Sequence, residues 1–317
     1  RNELEDAYEF VPNIALGLPT PLRGAAFDAT RGRTSTAEWP ELTGIAAAHA
    51  QGVRGAGVMV GVLDTGVDAD HDELIHQRIT FRYVSLVPNS PYWPPRDVRG
   101  FDPDGHGTHV CGIIAGQSVG NMSLGFPSSM LDEPSYRDHL RVVQRLLRTT
   151  LQANILPIVA IGNDGPGQFG YPGGFDEALG VGAVDFGLQV ADFSGSTPAR
   201  QTPKKPDIFG IGVGVSSSIE RDYDGRSLYQ RMSGTSMASP YVAGIAALRL
   251  CRTPGMPATQ LREELLASTS GVQGGPAGVG LAVFPSDTNS GVGRTKPADG
   301  RSRGRKATRR SASSGSG

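Results

Sequence analysis

The sequence is poor in cysteine and has no long apolar segment. Only two cysteines, Cys111 and Cys251, occur in 317 residues, and both lie in apolar stretches where a free cysteine behaves as a small hydrophobic residue. A scaffold held together by disulfides is therefore excluded. No apolar run reaches the length of about 18 residues that a membrane-spanning helix needs, so the sequence predicts none. The chain begins with the polar RNELEDAYEF, which is neither a signal peptide nor a Met start.

The chain as a whole has no excess of charge of either sign, because 30 Lys and Arg stand against 31 Asp and Glu. The C-terminal segment differs, since residues 291–317 contain eight Lys or Arg and one Asp. This segment is rich in Gly and Ser and has almost no large apolar side chain, so we expect it to be disordered. It has no aromatic residues among its arginines, and we therefore expect no nucleic-acid partner, and no membrane partner either.

Glycine and proline are abundant, with 44 and 23 residues. They indicate many tight turns and close backbone approaches, which suit loops shaped around a site better than a helical bundle. The chain is 38% hydrophobic and long enough to bury the core of a large α/β domain.

The first informative segment is GVMVGVLDTGVDADHDEL, residues 57–74. Its apolar run predicts a strand of a parallel sheet, buried on both faces, with Asp64 at the carboxyl end where such sheets bind ligands. The glycines of GVRGAG come before the predicted strand, whereas the glycines of a dinucleotide-binding fingerprint follow one. The DTG triplet also fits half of an aspartic protease dyad, although no second copy occurs. Taken alone, Asp64 fits a purely structural strand end equally well.

The second segment is DPDGHGTHVCGIIAG, residues 102–116. Its Asp-Gly pair is typical of a turn, and the apolar residues that follow fall on one side of a short helix, which places His106 in the first turn. The positive end of the helix dipole disfavours imidazolium and so suits a general base. His106 and His109 also have the spacing of a metal-binding pair, but no Glu lies between them and no third ligand is evident.

The third segment is RMSGTSMASPYVAGIAALRLC, residues 231–251. Pro240 is tolerated in the first turn of a helix, and the run that follows is apolar all round, which predicts a central buried helix. Ser236 lies at its N-terminus, where backbone N–H groups and partial positive charge would stabilise an oxyanion. A serine in this position is, by itself, most often only an N-cap.

Together, Asp64, His106 and Ser236 are the residue types of a nucleophile, its base and the group that orients the base. The chain order Asp, His, Ser is that of subtilisin, whereas α/β-hydrolases present Ser first and chymotrypsin-like folds His first. The motifs LDTGVD, GHGTHVCG and SGTSMASPYVAG resemble the three signatures of the subtilisin-like serine peptidases, the subtilases. The resemblance covers about residues 36–285. It implies a three-layer α/β fold with a mostly parallel central sheet flanked by helices.

The resemblance also implies a function, that of a serine endopeptidase that hydrolyses polypeptide substrates and needs no cofactor. The segment ILPIVAIGNDGPGQ is similar to the strand and turn that deliver the family's oxyanion asparagine, here Asn163. NMSLG, at 121–125, is similar to a substrate-lining strand end. The residues that the resemblance assigns to the pocket before the scissile bond are Ser123, Leu124, Gly125, Ala160, Ile161, Gly162 and Gly170.

One stretch departs from the family pattern, because only 15 positions separate His106 from Asn121. The sheet is therefore expected to lack one internal strand, which would leave a slot in the core or force its neighbours together. An extended segment that binds one edge of the substrate is also expected to be missing. The shortening leaves no room for the family's calcium loop, although Glu73 lies where one of its carboxylate ligands is expected. These losses motivate an alternative, a catalytically silent or incomplete subtilase-fold protein that binds peptides or partners.

The predicted organisation has three parts. Residues 1–35 resemble a pro-segment remnant or linker, residues 36–285 form the peptidase domain, and residues 286–317 form the disordered basic tail. The resemblance implies a soluble, secreted protein, although this chain shows no signal peptide, and we expect a monomer.

Overall fold

The computed structural model describes residues 39–83, 96–115, 121–122, 126–127, 134–198, 200–202 and 204–285. The predicted pro-segment remnant and basic tail lie outside these residues, and so do the pocket residues Ser123, Leu124 and Gly125. The predicted domain boundaries therefore stay predictions.

The described strands form one large sheet and three small two-stranded sheets. The large sheet has the order β1-β4-β6-β8-β9-β13-β12, in which every neighbouring pair is parallel except the antiparallel pair β12 and β13. The small sheets pair β2 with β3, β5 with β7, and β10 with β11. The strands are β1 (Val62–Leu63), β2 (Arg82–Tyr83), β3 (Arg96–Asp97), β4 (Asn121–Met122), β5 (Phe126–Pro127), β6 (Ile158–Ala160), β7 (Gly170–Tyr171), β8 (Leu179–Val184), β9 (Ile208–Ile211), β10 (Val215–Ile219), β11 (Leu228–Met232), β12 (Thr269–Ser270) and β13 (Leu281–Ala282).

Helices lie on both faces of the central sheet. Adjacent residues of a strand point to opposite faces. In β6, Ile158 packs in the main core with residues of helix α4 (Thr235–Arg252), whereas Val159 packs with Leu147 of helix α3 (Pro134–Gln152) on the other face. This arrangement confirms the predicted three-layer α/β fold. The described helices are a short 3-10 helix (Glu41–Thr43), α1 (Ile45–Ala50), α2 (His106–Ala115), α3 (Pro134–Gln152), α4 (Thr235–Arg252) and α5 (Ala258–Ala267).

The central strands and α4 are buried as the sequence predicts. Every residue of β6, β8 and β9 is buried, which matches their uncharged sequences and the absence of apolar-polar alternation. Every residue of α4 from Thr235 to Arg249 is also buried, and α4 packs against β6, β8 and β9. No helix in the described ranges combines the length and apolarity that crossing a membrane requires.

Strand β1 is the exception, and the expectation that it is buried on both faces is wrong. Leu63 is 56% exposed and Met59, just before the strand, is 93% exposed. The cause is its place in the sheet, because β1 is an end strand among the described residues and pairs only with β4. Each described strand of the sheet bonds directly to the next, so the described part of the sheet has no slot between its strands.

Candidate active site

Asp64 and His106 form a buried pair at the point where β1 ends and α2 begins. The Nδ1 group of His106 donates a hydrogen bond of 2.7 Å to Oδ1 of Asp64. The two side chains are 7% and 2% exposed. The backbone N–H of Thr65 donates to the same carboxylate oxygen at 2.8 Å, which fixes the carboxylate from its own turn. With Nδ1 protonated, the Nε2 atom of a neutral His106 carries the lone pair and is able to accept a proton.

The pKa of His106 reflects a competition between burial and negative charge. Burial lowers this pKa, but the hydrogen bond and charge of Asp64, with the charges of Asp104 and Asp102, outweigh burial. The pKa of His106 is therefore raised above its usual value. The sequence-based expectation that the helix end keeps the imidazole neutral is thus incomplete, because the neighbouring carboxylates have the larger effect.

Ser236 lies in the first turn of α4, as predicted, and is 4% exposed. Gly234 precedes the helix in an extended conformation and provides no side chain to cap it. Helices α2 and α4, which carry His106 and Ser236, pack directly against each other.

Asn163 follows β6 and is held against the N-terminus of α4. Its side-chain oxygen Oδ1 accepts hydrogen bonds of 2.9 Å from both the backbone N–H and the hydroxyl of Thr235. These bonds fix the amide orientation and leave Nδ2 as the donor on the opposite side. A Cβ atom built on Gly234 would lie 3.5 Å from Nδ2 of Asn163 and 3.6 Å from the backbone nitrogen of Ser236. The two predicted oxyanion donors therefore flank one point in space.

The described members of the predicted pocket also lie together. Ala160 and Ile161 are buried at the end of β6, and Gly170 donates its backbone N–H to the carbonyl of Ile161 at 2.6 Å. Gly162 has a φ of +111°, and a Cβ atom there would lie 3.2 Å from the nitrogen of Gly170. The backbone conformation favours glycine at position 162, and the close approach leaves little room for a side chain. Their role in binding substrate stays a prediction.

The two side chains considered as metal ligands, His109 and Glu73, bond to other groups of the protein. His109 donates from Nε2 to the carbonyls of Val215 and Gln230, and burial lowers its pKa to about 3. It therefore ties α2 to the β10–β11 hairpin. Glu73 accepts a hydrogen bond from the hydroxyl of Tyr229 at 3.1 Å. Within the described ranges no three His, Cys, Asp or Glu side chains are grouped so that they could hold a metal ion.

Asp102 is a residue near the site that the sequence reasoning did not single out. It is 8% exposed and bonds to Thr65 and Thr108, which follow Asp64 and His106 in the chain. The sequence did contain a signal for this role. The residue directly before the helix is glycine, which cannot cap it, and a carboxylate lies three residues further upstream.

Comparisons with known proteins point to one family. The Subtilase family model (Peptidase_S8) matches residues 55–120 and 116–293. The subtilisin-like protease PopC of Myxococcus xanthus (strain DK1622) is 46% identical over 345 residues, which cover 90% of this chain and 72% of PopC. Subtilisin Savinase of Lederbergia lenta is 31% identical, and the alignment covers 69% of this chain and 86% of Savinase. Among solved structures, the S41 psychrophilic protease matches with a TM-score of 0.57 at 26% identity, over 74% of this chain and 92% of that one.

The comparisons also locate the shortening of the chain. The two parts of the family match meet at residues 116–120, directly after α2. The alignment with PopC is longer than the 317 residues of this chain, so PopC has positions without a counterpart here. The split of the family match supports a missing internal segment between the His helix and NMSLG, as the sequence predicts, and the PopC alignment shows only that unmatched positions exist. The chain belongs to the subtilase family and is a subtilisin-like serine endopeptidase.

Proposed function

We propose that this endopeptidase cleaves peptide bonds with Ser236 as the nucleophile, His106 as the general base and Asp64 as the group that orients His106. The observation that carries the proposal is the buried 2.7 Å hydrogen bond between His106 Nδ1 and Asp64 Oδ1. It selects the tautomer in which Nε2 accepts a proton, and it places a negative charge beside the imidazolium that forms.

The second element of the proposal is an oxyanion site made by the Asn163 side-chain amide and the backbone N–H of Ser236. Support comes from the two hydrogen bonds of Thr235 to Asn163 Oδ1, which orient the amide before substrate arrives. A donor that is already oriented needs no reorganisation when charge develops on the substrate. Loss of one such donor typically lowers kcat about a hundred- to a thousandfold.

These roles combine into two chemical steps. The Ser236 hydroxyl attacks the peptide carbonyl while its proton passes to Nε2 of His106, and the carbonyl oxygen becomes an anion that the two N–H donors bind. His106 then gives the proton to the departing amine, and an acyl-enzyme remains on Ser236. Water, deprotonated by His106, hydrolyses this ester and restores the serine. Gly162 and Gly170 are proposed to leave room in the pocket for the residue before the scissile bond.

A fluorophosphonate probe tests this proposal, because it reacts only with an activated serine. The chain is labelled at pH 8, and the modified peptide is identified by mass spectrometry. We expect labelling at Ser236 and its loss in Ser236→Ala. The matched control is Ser239→Ala, which removes a buried hydroxyl three residues further along α4 and should leave labelling in place.

The alternative is a catalytically silent protein that binds peptides or partners. Absence of labelling in a wild-type chain that still unfolds in one cooperative thermal transition would favour this alternative and reject the proposed chemistry. Labelling at another serine would also reject Ser236 as the nucleophile.

A further inference from the structure

Beyond the three residues of the proposed catalytic group, a fourth side chain connects the segments that carry Asp64 and His106. Asp102 lies four residues before His106 and is nearly buried, with 8% of its surface exposed. Its two carboxylate oxygens accept four hydrogen bonds from residues on both sides of the Asp64–His106 pair. A carboxylate that served only to keep a loop soluble would not need four hydrogen bonds from the protein.

One carboxylate oxygen of Asp102 bonds to the turn that carries Asp64. Oδ1 accepts the hydroxyl proton of Thr65 at 2.8 Å. The same Thr65 hydroxyl oxygen accepts the backbone N–H of Gly107 at 2.9 Å. Because Thr65 follows Asp64 and Gly107 follows His106, this chain of bonds joins the two residues next to the pair.

The other carboxylate oxygen bonds to the first turn of α2. Oδ2 accepts both the backbone N–H and the hydroxyl of Thr108, each at 2.7 Å. Helix α2 is preceded by Gly105, which has a φ of +83° and whose Cβ position is occupied by the carboxylate of Glu220. A conventional N-cap side chain therefore has no place at position 105, and Asp102 satisfies a free N–H of the helix instead.

We infer that Asp102 is a positioning residue for the proposed reaction: through Thr65 and Thr108 it fixes the turn of Asp64 and the first turn of α2 in the register that the Asp64–His106 hydrogen bond requires. This inference rests on the proposed function. The physical reason is that a short hydrogen bond between two side chains on different elements persists only when both backbones are held, and displacements of 1 Å at such a site lower rates about a hundredfold.

Asp102 also acts on His106 through its charge, and the test must separate the two effects. The charged and titratable groups around His106 are Asp64, Asp102, Asp104 and His109, and Glu220 lies against the adjacent Gly105. Asp104 is exposed, and its charge raises the pKa of His106 more than that of Asp102 does. Asp104→Asn is therefore a control that alters the charge without removing a side-chain link between the segments.

The experiment compares Asp102→Asn, Asp104→Asn, Thr65→Val and Thr65→Ser in the full chain. For Asp102→Asn we expect kcat to fall about ten- to a hundredfold with KM little changed, and the acid limb of the pH profile to move to lower pH. Asp104→Asn should move the limb and keep kcat. Thr65→Val removes the hydroxyl link to Asp102 and the longer 3.3 Å contact of the same hydroxyl with Asp64 Oδ1, but it keeps both carboxylates, so kcat should fall without movement of the limb. Thr65→Ser should restore kcat, and this comparison decides the matter if Asp102→Asn fails to fold.

A proton NMR readout makes the test independent of turnover. The strongly deshielded Nδ1 proton of His106 reports its hydrogen bond to Asp64, and we expect the signal to weaken in Asp102→Asn and Thr65→Val but to persist in Asp104→Asn. Wild-type kcat and an unchanged Nδ1 signal in Asp102→Asn and Thr65→Val would overturn the inference and leave Asp102 as a helix cap alone. A wild-type chain with the Nδ1 signal but without turnover would reject the proposed function, and the NMR comparison would still decide whether Asp102 positions the pair.

Discussion

The hydroxyl of Thr235 offers a graded test of the oxyanion site, through the change Thr235→Val. The Asn163 amide oxygen is held by two bonds of 2.9 Å, one from the Thr235 backbone and one from its hydroxyl. Valine has nearly the same shape and removes only the hydroxyl, so the backbone bond remains. A neutral hydrogen bond contributes about 0.5–1.5 kcal/mol, which corresponds to about a 2- to 12-fold loss in rate if the amide is then free to turn.

The assay is steady-state cleavage of a chromogenic peptide, with the rate of fluorophosphonate labelling as a second measure. We expect kcat to fall within this range, KM to change little, and Thr235→Ser to recover most of the loss. Asn163→Ala sets the upper limit, because it removes the donor itself and should cost about a hundred- to a thousandfold. The reasoning is refuted if Thr235→Val equals Asn163→Ala, or if Thr235→Val and wild type are indistinguishable.

Three further predictions concern pH, stability and the space between the oxyanion donors. The Asp64 carboxylate raises the pKa of His106, and His106 must be neutral to act as the base. We therefore expect kcat/KM to be lost as the pH falls through a midpoint above 6.5. A pH–rate profile with a lower midpoint would contradict the assignment of His106 as the base. Lys205 is 1% exposed and donates to Asp207 and to two carbonyls, so Lys205→Met should lower the free energy of unfolding by about 3–5 kcal/mol in a denaturant titration. The neighbouring exposed Lys204→Met is the control and should change the free energy by about 0.5 kcal/mol or less. A methyl group at position 234 has room, but it would contact Nδ2 of Asn163 and the backbone nitrogen of Ser236, the two proposed oxyanion donors. Gly234→Ala should therefore keep the thermal midpoint and slow fluorophosphonate labelling. Equal labelling rates in the variant and the wild type would disprove this prediction.

The elements that the sequence predicts best are those whose environment is uniform along the chain. Helix α4 is apolar on all sides, and such a helix has to be surrounded by protein whatever the rest of the fold is. The same holds for β6, β8 and β9, whose uncharged runs fit only the interior of a sheet. Asp64, His106 and Ser236 were predictable because each lies in a motif that fixes its place at the end of a strand or the start of a helix.

The features that the sequence did not predict depend on neighbours that are distant in the chain. The exposure of Leu63 depends on which strand lies beside β1, and that strand comes from a different segment. The raised pKa of His106 is the balance of burial against three carboxylates, and no local pattern gives the sign of such a balance. The bonds of Asp102 to Thr65 join residues 37 positions apart, so they became evident only in the folded chain.

The proposed catalytic residues are held by elements on either side of the shortened segment. Asp64 needs β1 to be held along one edge, and β4 does this through the pairs Val62 with Asn121 and Leu63 with Met122. His106 needs α2 to be held, and α4 and β10 pack against that helix. Asn163 follows β6 and Ser236 lies in the first turn of α4, and both elements are buried. The shortening lies between α2 and β4, and β4 pairs with β1, an end strand of the sheet among the described residues. Asp64, His106, Asn163 and Ser236 are thus held by described elements outside the shortened stretch, which supports the proposal that the chemistry survives the shortening.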